Sequence, residues 1–316
     1  MRKLILTITV FALASSAFAA DGPINEFITL GTAAGPNSQA TRSQPANALV
    51  VNEDLYLVDA GDGAVQQLVK AGFRVQDLDG VFISHNHFDH IGGMLAVLGL
   101  QSQLGVRKPL KVYGPPGTKA LVDGLVIGMT PAMTAAFGMP NRSWRSNVQV
   151  EEVVHNSVIE LAGVTVRVAE NSHFAIPQES GFPEKAKALS FRFNLADRSI
   201  VYTGDTGPSE ALQTLAKGAD LLVSEMMDID SVLANIRAEN PDMPQRQFDG
   251  IEWHLRAHHL LPIQVGELAS GAKVKSLVVT HMSPNVSSDE MAKRYLNEIA
   301  DAFDGQAVIA DDLDRF

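Results

Sequence analysis

The stretch HNHFDH, residues 85–90, follows the apolar run VFIS and precedes a pair of glycines. Its six positions hold three histidines and one aspartate. An isolated histidine is usually an ordinary core or surface residue, whereas this stretch concentrates several potential metal ligands on a short piece of chain. This concentration of potential ligands therefore indicates a metal site rather than a solvated polar loop.

Other candidate ligands follow other predicted strands. VTVRVAENS leads into His173, IVYTG leads into Asp205, and LVVT leads into His281. Ligand sites in α/β folds gather at the carboxyl ends of strands, so we expect these side chains at one rim. Taken alone, Asp205 could also be the N-cap of the helix predicted for DTGPSEAL. The remaining histidines His155 and His254 are assigned to the surface or to a structural role.

The residue types favour a pair of metal ions. His85 and His87 are two positions apart and face the same side of an extended segment, so with His173 they offer three imidazoles to one ion. The two carboxylate oxygens of Asp205 are suited to bridging this ion and a second one. The predicted ligands of the second ion are Asp89, His90 and His281. Zinc is the expected metal, with manganese or iron as alternatives.

The order of apolar runs and helix-like stretches is typical of an α/β protein. The predicted strands are 55–59, 80–84, 110–114, 164–169, 199–203 and 276–280. The predicted helices are 63–71, 92–100, 208–217, 262–270 and 288–301.

Two long stretches interrupt this alternation, at 118–144 and 228–253. Long insertions in compact domains often form lids or binding loops, and both are candidates for determining the substrate. The alternative, a packed surface helix or a dimer contact, is left open for each.

The amino terminus resembles a secretory signal peptide. Arg2 and Lys3 precede an apolar run that ends in small residues, and cleavage is predicted after Ala19. No later segment is apolar enough to span a membrane. We therefore expect a signal peptide at 1–19, a single domain at 20–316, and a periplasmic or secreted location.

The composition excludes several classes of function. Removal of the signal peptide changes the formal net charge from −11 to −13, and such an acidic chain is not expected to bind long nucleic acid. Cysteine is absent, which excludes disulfides, cysteine-based zinc sites and a cysteine nucleophile.

The stretch HNHFDH with its two glycines, together with His173, the TGD that ends at Asp205, and His281, resembles the metallo-β-lactamase-fold hydrolases. The resemblance extends over nearly the whole mature chain and implies a four-layer αββα sandwich. LVDAGDG at 57–63 is similar to the early Asp-x-Gly element of that superfamily, which implies that Asp59 supports a ligand histidine. As a residue of DAGDG, Asp59 could also serve only the turn.

Within the superfamily, residues 258–284 resemble the ribonuclease Z and arylsulfatase branch. A histidine that opens a helix before the last ligand is the proton donor there, which implies this role for His259. Leu261 stands where that branch often has threonine, and His258 remains the alternative donor. Asp89 is assigned as a catalytic residue as well as a ligand. The basic arm by which ribonuclease Z holds transfer RNA is not visible in this sequence.

These observations predict an exported dinuclear metal-dependent hydrolase of a small-molecule ester, with a phosphodiester or sulfate ester favoured. A metal-bound hydroxide would attack the ester, and His259 would protonate the leaving group. A lactonase or β-lactamase-type hydrolase of the same fold is an alternative, although the latter commonly uses a cysteine ligand. A non-catalytic periplasmic metal-binding protein and an iron-based oxidoreductase are further alternatives. The substrate and the oligomeric state, including a homodimer, are left open.

Overall fold

The computed structural model describes residues 25–135, 147–176 and 186–316. The expected signal peptide at 1–19 and the second part of the 118–144 stretch lie outside these ranges. All structural statements below refer to the described residues.

The first of two sheets has six strands in chain order. Its strands are β1 (Asn25–Gly31), β2 (Ala46–Val51), β3 (Asp54–Ala60), β4 (Leu78–Phe82), β5 (Leu110–Gly114) and β6 (Val148–Glu152). The first three pair in antiparallel fashion, and β3 to β6 pair in parallel. The parallel half accounts for the continuous apolar character of the strand that leads into HNHFDH, because such strands are covered on both faces.

The second sheet has seven strands in the order β13-β12-β11-β10-β9-β8-β7. Its strands are β7 (Val158–Leu161), β8 (Val164–Glu170), β9 (Leu189–Leu195), β10 (Ser199–Tyr202), β11 (Leu221–Met227), β12 (Ser276–Ser283) and β13 (Gln306–Ile309). Strands β10 to β13 are parallel and β7 to β10 are antiparallel. The bridge between Ala33 and Met282 joins the two sheets beside the site described below.

Ten α-helices lie among the described residues, along with a short 3-10 helix at Val75–Asp77. The α-helices are α1 (Ala64–Lys70), α2 (Phe88–Ile91), α3 (Met94–Gln103), α4 (Thr118–Gly128), α5 (Thr130–Thr134), α6 (Glu210–Ala216), α7 (Ile229–Glu239), α8 (Gln245–His258), α9 (Pro262–Ala272) and α10 (Asp289–Ala300). The 228–253 stretch therefore forms α7 and most of α8. The described part of 118–144 forms α4 and α5.

The hydrophobic residues fall into layers. An aromatic cluster fills the space between the sheets, where the Phe82 ring lies 4.9 Å from Tyr113, 5.5 Å from Phe191 and 5.3 Å from Phe193 between centroids. A second apolar cluster joins the first sheet to α1, α3 and α4, and a third joins the second sheet to α6, α9 and α10. The expected four-layer αββα sandwich is confirmed.

Two strands carry irregularities where the ligand candidates lie. Asp59 is an extra residue of β3 opposite β2, with φ of 59°. In β12, Thr280 and His281 stand opposite the single residue Glu225 of β11, and φ of His281 is 45°. Such bulges redirect side chains and are common beside active sites. His281 therefore lies inside β12 rather than after its end, which corrects the expectation from the sequence.

None of the described helices is long and apolar enough to cross a membrane.

Candidate metal centre

Two groups of potential ligands meet at the carboxyl ends of β4, β8 and β10 and at the bulge of β12. Within each group, the nitrogen and carboxylate oxygen atoms that could bind an ion lie within 4.8 Å of one another. The first group consists of His85, His87, His173 and Asp205. The second group consists of Asp89, His90 and His281. The structure thus brings the seven predicted residues together, and Asp205, the expected bridge, falls in the first group.

The local chain conformation explains how HNHFDH contributes to both groups. After β4 the chain stays extended through His87, which has φ of −68° and ψ of 150°. His85 and His87 therefore face the same group, with ring centroids 4.8 Å apart. Helix α2 begins at Phe88, and its first turn carries Asp89 and His90 to the second group.

The Asp205 carboxylate lies between the two groups. Its Oδ2 atom is 3.9 Å from Nε2 of both His85 and His173. Its Oδ1 atom is 3.2 Å from Nε2 of both His90 and His281. One oxygen therefore faces each group. Ser209, rather than Asp205, is the N-cap of α6, so the alternative role expected for Asp205 is wrong.

The donor atoms fit a pair of divalent ions. His85 Nε2 and Asp205 Oδ1 are buried and form no hydrogen bond with a described residue. His87 Nδ1 and His173 Nε2 approach to 3.1 Å, so two ring nitrogens converge on one point. Buried polar atoms without partners are costly, and a cation would satisfy them. Imidazole and carboxylate without thiolate suit zinc, manganese or iron.

Asp59 orients two of the histidines. His90 Nδ1 donates a hydrogen bond of 2.7 Å to Asp59 Oδ2, which leaves Nε2 to face the ligand group. The Ser84 hydroxyl also donates to Asp59 Oδ2 and lies 3.0 Å from His85 Nδ1, so it accepts from that ring. Tyr202 donates to the same carboxylate oxygen at 2.8 Å. The predicted support of a ligand histidine by Asp59 is present, and Ser84 extends it to a second one.

His258 has a structural role next to the first group. Its carbonyl oxygen accepts a hydrogen bond of 3.0 Å from Nδ1 of His173, which leaves Nε2 of His173 for an ion. Its own ring donates from Nε2 to the carbonyl oxygen of Ala175 at 2.9 Å. The His258 ring is therefore committed to the segment after β8, and it is the poorer candidate for the proton donor.

His259 lies against the metal centre and is paired with a carboxylate. Its ring centroid is 5.0 Å from that of His173, and its Nδ1 atom is 3.3 Å from Glu225 Oε1. Burial lowers the pKa of His259, but the carboxylates of Glu225 and Asp205 outweigh burial and hold that pKa above its ordinary value. The side chain thus combines proximity to the ligands with a pKa held above its ordinary value.

The sequence reasoning missed Glu225. This side chain is almost fully buried, and its Oε1 atom accepts hydrogen bonds from the backbone of Thr206 at 3.1 Å and Leu260 at 3.2 Å. Both bonds fix the carboxylate beside His259. The available signal was the lone acidic residue within the apolar run LLVSEMM at 221–227, because buried carboxylates are rare without a partner.

Two glycines permit the close packing of the site. Gly204 has φ of 58°, and a Cβ atom there would lie 2.8 Å from Cβ of Ser84. A Cβ atom on Gly35 would lie 2.4 Å from Cβ of Asp89, whose Oδ2 atom accepts from the Gly35 backbone nitrogen at 3.0 Å. The TGD motif therefore needs glycine before Asp205 for both conformation and space.

Aromatic side chains border the ligands. The Phe174 ring lies 4.8 Å from the rings of both His87 and His173. Phe88 is 83% exposed directly after His87, and Trp253 is 50% exposed with its ring 5.2 Å from that of His258. An organic portion of a substrate would thus meet apolar surface next to the metal centre.

Comparison with known proteins agrees with this geometry. The family described as "Beta-lactamase superfamily domain" matches residues 55–282. Ribonuclease Z from Mycobacterium sp. (strain KMS) is 31% identical over 301 residues, which cover 92% of this chain and 95% of that protein. The relative's name refers to RNA, whereas the acidic composition led us to expect that the chain does not bind long nucleic acid.

Two solved structures share the fold. The metallo-β-lactamase fold protein YhfI from Bacillus subtilis has a TM-score of 0.65 at 18% identity, covering 92% of this chain and 98% of its own. The short form of human tRNase Z has a TM-score of 0.62 at 20% identity, with the same two coverages. The ligand geometry and the family match together show that the chain belongs to the beta-lactamase superfamily, in its ribonuclease Z branch, and is a metal-dependent hydrolase acting on ester bonds.

Proposed function

We propose that the protein is an exported hydrolase that holds two divalent ions, most suitably zinc, and cleaves a phosphodiester in a small or medium-sized molecule. The observation that carries the dinuclear part is the placement of Asp205, with one carboxylate oxygen toward each ligand group. We also propose that the seven-residue ligand set holds these ions and that Asp89 has a catalytic role in addition to binding metal.

The protein groups have separate tasks in this reaction. Bound divalent ions would make a coordinated water more acidic and withdraw charge from the oxygen that becomes negative during attack. His259 would donate its proton to the leaving oxygen, and Glu225 would keep that ring protonated and oriented until then. Asp59 and the His258 carbonyl would hold ligand rings in the tautomer that presents Nε2.

The ribonuclease Z relatives favour a phosphodiester over a sulfate ester, because RNA cleavage is phosphodiester cleavage. They also support a second candidate function, the processing of an RNA. The acidic composition and the exposed aromatic side chains beside the ligands favour the smaller substrate, since RNA binding draws on basic surface. A lactonase or β-lactamase-type reaction would use the same ions without requiring His259 as a proton donor.

Export rests on the amino-terminal sequence. We expect the chain recovered from a bacterial periplasm or medium to begin at Ala20, as measured by intact mass and amino-terminal sequencing. An uncleaved, cytoplasmic chain would contradict export while leaving the catalytic proposal intact.

The reaction is tested by loading the purified protein with zinc or manganese. The loaded protein is then assayed against 4-nitrophenyl phosphodiesters, sulfate esters, lactones, a β-lactam and a transfer RNA precursor. We expect the highest kcat/KM with a small phosphodiester. Preference for the RNA would support the second candidate, and activity confined to lactones or the β-lactam would refute phosphodiester cleavage. An Asp205→Ala preparation controls for contaminating hydrolases.

A further inference from the structure

A cavity of about 670 Å³ lies between α6 and the outer face of the second sheet. Its walls come from β8, β9, α6 and the loop before β7. None of the seven proposed metal ligands lines this cavity, so it is separate from the metal centre. Its volume falls within the usual range for sites that bind small molecules.

Two arginines stand side by side in this cavity. Phe191 and Phe193 of β9 pack between the sheets, so Arg192 lies on the opposite face. Arg167 is its direct neighbour on β8 in antiparallel register, and both side chains line the cavity. Burial lowers the pKa of Arg192, Asp220 opposes this effect, and the charge of Arg167 adds to it. Like charges directly opposite each other on neighbouring strands are destabilising, and a bound anion would relieve their repulsion.

The Arg192 side chain is held in place by three hydrogen bonds. Its Nε atom donates to Oδ1 of Asn194 at 2.9 Å. Its Nη1 atom donates to the carbonyl oxygens of Leu215 at 2.9 Å and Lys217 at 2.8 Å. These bonds fix the guanidinium between β9 and the end of α6, and Nη2 forms no hydrogen bond with a described residue.

The other charged side chains leave the cavity positive. Arg167 and Lys217 are exposed, and neither side chain forms a hydrogen bond or ion pair with a described residue. Glu210 is the one carboxylate among the described lining residues, and it forms no ion pair with them. With Arg192 and a neutral His155, the lining has an excess of two positive charges. The whole chain, in contrast, has a formal net charge of −11.

We propose that this cavity is a second ligand site, which binds the phosphate group of a small organic phosphate monoester against Arg167, Arg192 and Lys217. Such a phosphate carries about −1.5 to −2 charges at pH 7, which matches the excess of the lining. Guanidinium groups bind phosphate oxygens through paired, charge-assisted hydrogen bonds. Apolar contacts for the organic part are available from Val158, Val168, Ala169, Ala211 and Leu215. Such a site goes beyond the proposed hydrolysis and requires neither the metal ions nor His259.

Two substitutions remove charge from the cavity without removing a hydrogen bond between described residues. They are Arg167→Gln and Lys217→Gln, and both side chains are exposed, so the fold and the metal content should be retained. Arg192 is left intact because its bonds hold the end of α6. Arg107→Gln is the matched control, since Arg107 is also exposed, has no ion pair with a described residue and does not line the cavity.

Isothermal titration calorimetry of the zinc-loaded proteins measures binding of phenyl phosphate, phthalate and benzoate at about 0.15 M salt, where exposed charges are screened. The wild type and Arg107→Gln should bind phenyl phosphate equally well, phthalate less tightly and benzoate least tightly. Arg167→Gln and Lys217→Gln should each weaken phenyl phosphate binding by roughly 10-fold. This is the lower part of the range for hydrogen bonds to a charged group, because both side chains are exposed.

Unchanged affinity for phenyl phosphate in both cavity variants would overturn the proposal, because binding confined to the metal centre does not depend on these side chains. An equal loss in Arg107→Gln would also contradict it, as would phthalate binding as tight as that of phenyl phosphate. Metal analysis and denaturant unfolding of the same samples check the fold, and Lys217→Gln decides if Arg167→Gln is unstable. A wild type that shows the expected binding but hydrolyses no diester would refute the proposed function and support this site.

Discussion

At the scale of single residues, His259 and Glu225 distinguish this site from one that only binds metal. Seven ligands would suffice to hold two ions, and a buried histidine paired with a buried carboxylate adds nothing to coordination. The sequence resemblance suggested His259 and left His258 as an alternative. The structure favours His259 as the proton donor, because the His258 ring already donates a hydrogen bond to the carbonyl oxygen of Ala175.

We expect His259→Ala to retain both metals and the fold yet to lower turnover by roughly 10²- to 10⁴-fold, the usual contribution of a general acid. The loss should be large for diesters with an alkoxide leaving group and small for those that release nitrophenolate, which needs little protonation. Steady-state kinetics on both substrate types, with metal analysis of the same samples, make the comparison.

His258→Ala is the control for this prediction. It should lower the stability of the fold, measured by denaturant unfolding, without the dependence on leaving group. Equal losses on both substrate types in His259→Ala, or a variant that has lost its metal, would contradict the role of proton donor.

At the scale of secondary-structure elements, the bulges of β3 and β12 place side chains that ideal strands would direct elsewhere. Asp59 and His281 both have positive φ, which costs a residue other than glycine roughly 1–3 kcal/mol and persists where the surroundings demand it. Strand periodicity cannot predict such an extra residue, because the pattern assumes regular pairing. The sequence therefore indicated both residues through motif resemblance and chemistry rather than through their geometry.

Asp59→Asn tests the bulge of β3 without imposing a new backbone strain, because asparagine also tolerates positive φ. The substitution removes the charge that orients His90. We expect affinity for the second ion to fall by about 10- to 100-fold, with the first ion less affected. Competition with a chelator for zinc measures both constants, and unchanged affinity for the second ion would show that Asp59 serves only the turn.

A carboxylate far from the site anchors the start of β10. Asp220 accepts from the backbone and hydroxyl of Ser199 at 2.7 and 2.8 Å and pairs with Lys275 at 2.5 Å. Burial raises the pKa of Asp220, but these partners outweigh it and lower the pKa to about 2. A depressed folded-state pKa contributes stability above the unfolded-state value, and that stability is lost as the pH falls through the folded-state value.

Asp220→Asn should therefore lower the free energy of unfolding by about 1.5–3 kcal/mol at pH 7, the range for hydrogen bonds to a charged group. The difference from wild type should shrink between pH values of about 4 and 2. Denaturant unfolding of both proteins across this range measures it. A difference that is constant with pH would contradict a contribution from the charged form.

At the scale of the whole molecule, sequence periodicity identified six strands and five helices but not the complete sheets. All six predicted strands and five predicted helices are present, with ends displaced by at most three residues. Strands such as β6 and β7 were missed because short, partly exposed edge strands lack a strong apolar pattern. The αββα layering came from the family resemblance, since periodicity alone does not specify which sheet faces which.

The described part of the 118–144 insertion forms α4 and α5. The 228–253 stretch was expected to be a lid, a packed helix or a contact, and it forms α7 and most of α8, which pack on each other. Helix α8 carries His254 and His258 and ends next to His259. The sequence alone could not relate α8 to function, because that relation depends on the direction in which α8 approaches the metal centre.

We propose above all that this fold assembles a dinuclear metal site bridged by Asp205. Elemental analysis of protein purified without chelator, and loaded in turn with zinc, manganese and iron, measures it most directly. We expect close to two ions per chain for at least one metal, and markedly fewer in Asp205→Ala, with activity abolished. At most one ion per chain under every metal condition, or full occupancy and normal turnover in Asp205→Ala, would contradict it.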